Sequence, residues 1–343
     1  MPASIPTTAP APRFLGGGRL GTWERDVPTP GPGEVLVAVR ANAICGSDRP
    51  AFVDGWPIVP GHETAGVVAA TGDAVTLATG TPGVIYLRDY CGSCRSCEAG
   101  ATNQCLAKRA DMGWTADGGY GPYELVHETN FFPIPPDLPM AEATLLLDVM
   151  GTTGHGIARA RLVTPDIRAV AVSGAGPLGL GLVVMTGLLL GPSVPVVVSD
   201  LQPARLELVE RLGGRAVDLR ARSLADGLAA LGLNEVDVAF DTAGRAESRR
   251  QLLDLVAARG TLVCLGAPEG LNLTVHPDLI WPERAIVGSE YFPFDDLERN
   301  LALLMANRAA LQPIITHQFG IAELQAALEL FMSSVTGKVV VER

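Results

Sequence analysis

The run RAVAVSGAGPLG, residues 168–179, sets the strongest limit on what this chain can fold into. A short apolar run of strand character leads into G-x-G-x-x-G. An apolar helical stretch follows at once, and then a second apolar run, PVVVSD, at 195–200. A glycine turn caught between a buried strand and a helix is the phosphate-binding turn of a βαβ unit. In that reading Gly174 permits the tight turn, Gly176 lets the backbone approach a pyrophosphate, and Gly179 lets the helix pack closely on the strand. Pro177 and Leu178 open the helix, whose unpaired N–H groups face the phosphates. Asp200, 21 residues beyond Gly179 at the end of the next strand, is placed to accept hydrogen bonds from the adenosine ribose. A carboxylate there repels a 2′-phosphate, which favours NAD(H) over NADP(H). Arg205 is a candidate to lie over the adenine, or else a surface arginine. The plain alternative for the whole unit is a tight turn followed by a strand-end aspartate.

The alternation continues downstream. The helical PARLELVERLG (203–213), the strand-like VDVAFD (236–241), a helix around 246–258 and TLVCLG (261–266) predict a parallel, doubly wound α/β sheet. Upstream of residue 150 the pattern differs: EVLVAVRA (34–41), ETAGVVAA (63–70), GVIYL (83–87) and YELVHE (123–128), separated by Gly/Pro turns, predict an antiparallel, barrel-like β-domain. The tail, roughly 295–332, carries helical periodicity and ends in the strand-like KVVVER.

Composition removes several function classes. The 343 residues are 48% hydrophobic and 18% charged, enough to bury sizeable cores. The net charge of −11, with no Lys/Arg run, argues against nucleic-acid or anionic-membrane partners. The apolar stretch 177–198 is broken by Pro192 and Pro195, so it reads as a buried helix and strand, not a membrane span. The first dozen residues, MPASIPTTAPAP, read as a loose leader and not a signal peptide. The expected location is the cytoplasm, where thiols stay reduced and clustered cysteines favour metal over disulfide.

Four of the six cysteines, Cys91, Cys94, Cys97 and Cys105, lie in CGSCRSCEAGATNQC at spacing C-x2-C-x2-C-x7-C. Four thiolates at such spacing suit tetrahedral Zn²⁺. The ferredoxin-type iron–sulfur run has three residues before its fourth cysteine and a proline after it; here there are seven, and Leu106 follows. Four thiolates around Zn²⁺ sum to −2 and fill the tetrahedron, so this site holds a loop and does not activate a substrate. A catalytic zinc needs about three ligands and an open position. Cys45 in ICGSD, His62 in PGHETAG and Asp148 in LLLDVMGTTGHG are candidates, and together they bring Zn²⁺ to zero net charge. Taken singly, each has a plainer reading: a small core residue, a turn histidine, a helix cap.

These motifs resemble the zinc-dependent medium-chain dehydrogenase/reductases, the family of alcohol, sorbitol and threonine dehydrogenases. The resemblance rests on CGSD, GHE-x-x-G, the four-cysteine lobe, GGYGPYELV (118–126), the glycine turn with its downstream Asp, FDTAG (240–244) and TGKVVV (336–341). It implies a GroES-like β-barrel catalytic domain formed by residues 1–150 and 291–343, with the structural zinc lobe at about 88–110, around a Rossmann NAD-binding domain at 151–290. It further implies that Cys45, His62 and Asp148 ligate the catalytic zinc. Glu63 approaches the metal, Asp48 orients the ligand histidine, and Ser47 starts a proton relay. Two departures bear on this. Many relatives carry a relay histidine where this chain has Pro50, so a proton must leave from Ser47 through ribose hydroxyls and water. The segment from Cys45 to His62 is also short for the family, so the pocket it walls is reshaped, with Trp56 and Trp114 as candidates to line it and Arg49 as a solvated arginine or an anion contact.

The expectation is therefore a zinc- and NAD(H)-dependent oxidoreductase acting on a secondary alcohol or polyol, or the corresponding ketone. It would hold two zinc ions per chain and assemble as a homodimer or homotetramer. The competing readings are a same-fold reductase of a C=C or C=N bond without zinc activation of substrate, and a non-catalytic zinc-stabilised nucleotide-binding protein.

Overall fold

The computed structural model describes residues 5–267 and 269–343. The alternating half forms a six-stranded sheet in the order Arg215–Asp218, Val196–Asp200, Val170–Ser173, Val236–Asp241, Val256–Cys264, Ala285–Gly288. Every pairing is parallel. In chain order this is 3-2-1-4-5-6, the dinucleotide-binding order, with its switch point between Val170–Ser173 and Val236–Asp241. Val170–Ser173 is buried at every position, as a strand covered by helices on both faces must be. The helix Pro177–Leu190 that covers it starts with proline in its first turn and stops at Gly191, whose φ of 106° an L-residue rarely adopts.

The other half is a seven-stranded sheet running Ile315–Gly320, Lys338–Glu342, Glu34–Ala43, Thr64–Thr71, Pro82–Ile85, Phe131–Pro133, with Tyr123–His127 also pairing along Glu34–Ala43. The last strand lies antiparallel to Ala41–Ala43, so the chain's end is built into the sheet of its first half. These two sheets are the GroES-like barrel and the Rossmann sheet of an α/β protein. One continuous core joins them: Ala41, Val84 and Val340 on the barrel side, Val170 and Phe240 on the sheet side, Leu145–Leu147 and Ile157 between. Arg88–Asp89 pairs with Ala110–Asp111 and pinches off the segment that carries the four clustered cysteines. Among the described residues no helix is long and apolar enough to cross a membrane.

Three local expectations are corrected. Of the supposed loose leader, Thr8–Gly16 forms a hairpin with Arg19–Asp26. Pro10 and Pro12 alternate along it, so their missing N–H groups fall on one side of the strand, where an edge tolerates them. The helix from Ala246 ends at Leu255 and its strand begins at Val256, earlier than the apolar TLVCLG suggested. The tail is not one helical run: Asp296–Leu311 and Leu324–Met332 are separated by the strand Ile315–Gly320. Pro313 cannot continue a helix, and ITHQF behind it is β-branched and aromatic.

Candidate active site

Cys45 leaves the end of Glu34–Ala43 with extended φ/ψ of −112° and 154°, just ahead of the short turn Gly46–Asp48. Asp48 folds back and accepts a hydrogen bond from the Cys45 amide at 3.0 Å. The buried Tyr120 hydroxyl donates to the same carboxylate at 2.7 Å. His62 and Glu63 precede Thr64–Thr71, and Asp148 opens the π-helical turn Asp148–Thr152. The cysteine, histidine and two acids come from three separate parts of the chain, yet their ligand atoms lie within 4.8 Å of one another.

The geometry suits a tetrahedral ion. Cys45 Sγ is 3.1 Å and His62 Nε2 3.8 Å from Asp148 Oδ2. Bonds of about 2.0–2.3 Å in a tetrahedron set such edges at roughly 3.3–3.8 Å. His62 Nδ1 faces Asp48 Oδ1 at 3.5 Å, which fixes the ring so that Nε2 is the atom turned toward Cys45 and Asp148. Burial alone would lower the His62 pKa, but Asp148 and Asp48 outweigh it and hold the imidazole well above its ordinary value. Burial, reinforced by Asp148, pushes the Cys45 thiol up. Asp148 is held below its usual range by His62 in spite of its own burial. Both thiol and imidazole therefore give up protons if they ligate a cation.

Glu63 is fully buried and pairs with Lys338 of the C-terminal strand, itself only 1% exposed. Burial would lower the Lys338 pKa, and Glu63 holds it up; burial pushes the Glu63 carboxyl up to about 8, against the pull of Lys338. Ser47 is exposed, with its hydroxyl 3.3 Å from His62 Nε2. Pro50 lies in the first turn of the helix Arg49–Asp54. Arg49 is exposed and donates to the Met332 carbonyl at 3.1 Å. Trp114 lies against His62, ring centroids 5.9 Å apart, and Trp56 stands edge-on to Trp114 at 5.8 Å.

The four clustered cysteines are all free thiols. Their neighbouring Sγ–Sγ distances are 3.5, 3.6, 3.9 and 4.0 Å. Zn–S bonds of about 2.3 Å place sulfurs roughly 3.8 Å apart, so this set fits a closed zinc site.

At the carboxyl end of the parallel sheet, Gly174 has a φ of 92°, and a Cβ on Gly179 would collide with the Gly174 carbonyl. Asp200 accepts from the Ala175 amide at 2.7 Å and from the Leu201 and Gln202 amides at 2.7 and 2.8 Å, so the strand-end carboxylate is locked against the glycine turn. Arg205 is not the solvated surface arginine of the plainer reading. It is half-buried, its Nε donates to the Thr336 carbonyl at 2.9 Å, and its guanidinium lies 3.8–4.0 Å from where a Cβ on Gly176 would be.

The family model described as the alcohol dehydrogenase GroES-like domain matches residues 31–136, and that described as zinc-binding dehydrogenase matches residues 177–306. An L-threonine 3-dehydrogenase of Rhizobium johnstonii is 32% identical over 94% of this chain and 95% of its own. The chain belongs to the zinc-dependent medium-chain dehydrogenase/reductases. Among solved members, a short chain alcohol dehydrogenase from E. coli CFT073 complexed with NADH superimposes with a TM-score of 0.88 at 25% identity, covering 98% of this chain and 100% of that one. A zinc-binding dehydrogenase from Sinorhizobium meliloti 1021 bound to NADP gives 0.84 at 28%, with the same coverage. This medium-chain dehydrogenase is accordingly an NAD(P)-linked zinc oxidoreductase acting on CH–OH groups. Sequence reasoning missed Lys338 and Tyr120, which complete the surroundings of Glu63 and Asp48. The available signal was a lysine inside the otherwise apolar run KVVV.

Proposed function

We propose that this dehydrogenase interconverts a secondary alcohol and its ketone with NAD(H), holding one zinc ion on Cys45, His62 and Asp148 and a second on Cys91, Cys94, Cys97 and Cys105. The observation that supports it most is the convergence of one thiol, one imidazole and one carboxylate beside an exposed serine hydroxyl. When bound, zinc in this donor set supplies a Lewis acid with no net charge on the complex, and the nicotinamide supplies or accepts the hydride.

The chain's own residues divide the remaining work. Asp48, held by Tyr120, faces His62 Nδ1 and keeps the ring from turning. Ser47 Oγ takes the proton of the substrate hydroxyl during oxidation and returns it during reduction. Pro50 carries no proton, so beyond Ser47 the route runs through ribose hydroxyls and water. Lys338 neutralises Glu63 and so keeps an extra negative charge off the site. Trp114 and Trp56 exclude water from one side and favour apolar substituents on the substrate. Asp200 favours NAD(H), and Arg205, beside Gly176, pairs with the cofactor's pyrophosphate.

A panel of secondary alcohols, polyols and ketones followed by NADH absorbance, run beside metal analysis, tests the reading. The expected result is turnover on a ketone, with two zincs per chain falling to one in folded Asp148→Ala. A single zinc in the wild type would overturn the catalytic-metal assignment, and NADPH binding as tight as NADH would overturn the role of Asp200. The proposal includes a homo-oligomer. The edge strand Ala285–Gly288 and the neighbouring Val275, Ile280 and Trp281, the last 81% exposed, offer an apolar patch for a second copy. Light scattering should give a multimer, and Trp281→Glu should weaken it.

A further inference from the structure

Asp241 and Arg249 form a buried ion pair, 0% and 7% exposed at the side chain, that the chemistry above does not use. Asp241 ends the fourth strand of the 3-2-1-4-5-6 sheet, at the switch point. Its Oδ1 accepts from Ser173 Oγ at 2.9 Å, one residue before the glycine turn, and from the Ala243 and Gly244 amides at 3.2 and 3.0 Å. Its Oδ2 accepts from Arg249 Nε at 2.6 Å. The guanidinium then turns its remaining donors onto carbonyls just past the fifth strand: Gly266 at 2.6 Å, Gly270 at 3.3 Å, and Glu269. Glu269 hooks back, accepting from the Ala246 amide at 2.9 Å and pairing with Arg245 at 3.0 Å. One guanidinium thus ties the residues after the fifth strand to the turn after the fourth and, through Asp241, to the first strand.

A dinucleotide lies across the switch point, one mononucleotide on each side. Asp200 marks the second strand as the adenosine side, so the nicotinamide half lies over the ends of the fourth and fifth strands. Leu265, the first residue past the fifth strand, packs at 3.5 Å from the Cβ position of Gly156, on the helix that continues from Asp148. The segment that Arg249 fixes therefore begins one residue beyond the contact with that helix.

We propose that Arg249 is a positioning residue for the nicotinamide half of the cofactor. Through Asp241 and the Gly266, Glu269 and Gly270 carbonyls it presets the backbone against which the nicotinamide rests. The proposal builds on the NAD(H) reading and concerns one half of that ligand only. The test compares NADH with ADP-ribose, which lacks the nicotinamide, in titrations of the zinc-loaded protein. Arg249→Met should weaken NADH by about tenfold or more while leaving ADP-ribose near its wild-type value. Arg249→Lys should fall between, because an ammonium cannot serve the same carbonyls at once. Glu269→Ala cuts the hook at a half-exposed side chain and leaves no buried charge unpaired, so it carries the test should Arg249→Met not fold; it too should weaken NADH more than ADP-ribose. Equal loss of both ligands, or no loss of either, would overturn the proposal and leave the cofactor reading standing. A wild type that binds neither would overturn both.

Discussion

Lys338→Met removes a cation from a site where water does not reach. Lys338 is 1% and Glu63 0% exposed, and among the described residues Glu63 Oε2 has no hydrogen-bond partner, so Lys338 is the main compensation for that carboxylate. Removing one member of a buried ion pair costs about 3–5 kcal/mol, because the other keeps an uncompensated charge or must take up a proton. At about 2.1 cal/mol/K per residue, 343 residues unfold with an entropy near 0.7 kcal/mol/K, so the midpoint should fall by roughly 4–7 °C. Glu63→Gln alone strands the lysine and should also destabilise. The double variant carries no buried charge here and should recover most of the loss. Calorimetry on the four proteins at fixed zinc gives the cycle, and kcat/KM on the same samples reads the site, where an uncompensated Glu63 adds negative charge beside Cys45 and Asp148. If the two single losses simply add, to within about 0.5 kcal/mol, the two residues do not act as a charged unit and the reasoning fails.

Glu124 is 1% exposed, neither of its oxygens has a hydrogen-bond partner among the described residues, and burial pushes its pKa from 4.5 to about 8. Between those values the folded state holds a proton that the unfolded chain has released. Its stabilising contribution, complete below about pH 4.5, is lost as pH rises through about 8. Stability should therefore fall by up to about 1.4 kcal/mol per pH unit across that window relative to Glu124→Gln, and parallel pH profiles of the two proteins would refute it. Cys94→Ser should cost one zinc and lower the thermal midpoint, with kcat unchanged where the variant is still folded; loss of both zincs, or of kcat alone, would contradict a purely structural lobe. Gly179→Ala sets a methyl against the Gly174 carbonyl and should cost about 1–3 kcal/mol of stability together with NADH affinity; unchanged titrations would show that the helix need not lie so close.

What was legible in the sequence was mostly local. The cysteine lobe and the glycine turn each lie within fifteen residues, where spacing alone fixes which side chains meet. Cys45, His62 and Asp148 are far apart in the chain, and donor chemistry with family resemblance brought them together; spacing alone did not. Lys338 escaped notice because its place in an apolar strand suggests packing, and only the antiparallel pairing of Lys338–Glu342 with Ala41–Ala43 brings it to Glu63. Arg205 shows the same limit: read alone it can be a surface arginine, but the Thr336 carbonyl, 131 positions away, holds its half-buried guanidinium near Gly176. The strand Ile315–Gly320 is short and lies between two helical stretches, so its β-branched and aromatic pattern stands out only once Lys338–Glu342 pairs with it.

Hydride transfer needs donor and acceptor carbons within about 3–3.5 Å, so the proposed reaction asks for close packing between the barrel half and the parallel-sheet half. The Asp148–Thr152 turn runs straight into the helix Thr153–Arg161, so the carboxylate proposed to hold the metal and the face against the parallel sheet belong to one continuous helix. A Cβ on Gly181, in the helix behind the phosphate turn, would stand 2.7 Å from the Val149 carbonyl, one residue past Asp148. Further along, Gly156 admits Leu265 from the strand end that Arg249 helps to fix. Gly181 lets a neighbouring helix come close to the Val149 carbonyl, and Gly156 leaves room for the Leu265 and Phe240 side chains of the parallel-sheet half. The π-turn, an arrangement that recurs at functional sites, is the place where this helix departs from regular geometry to present its carboxylate to Cys45 and His62.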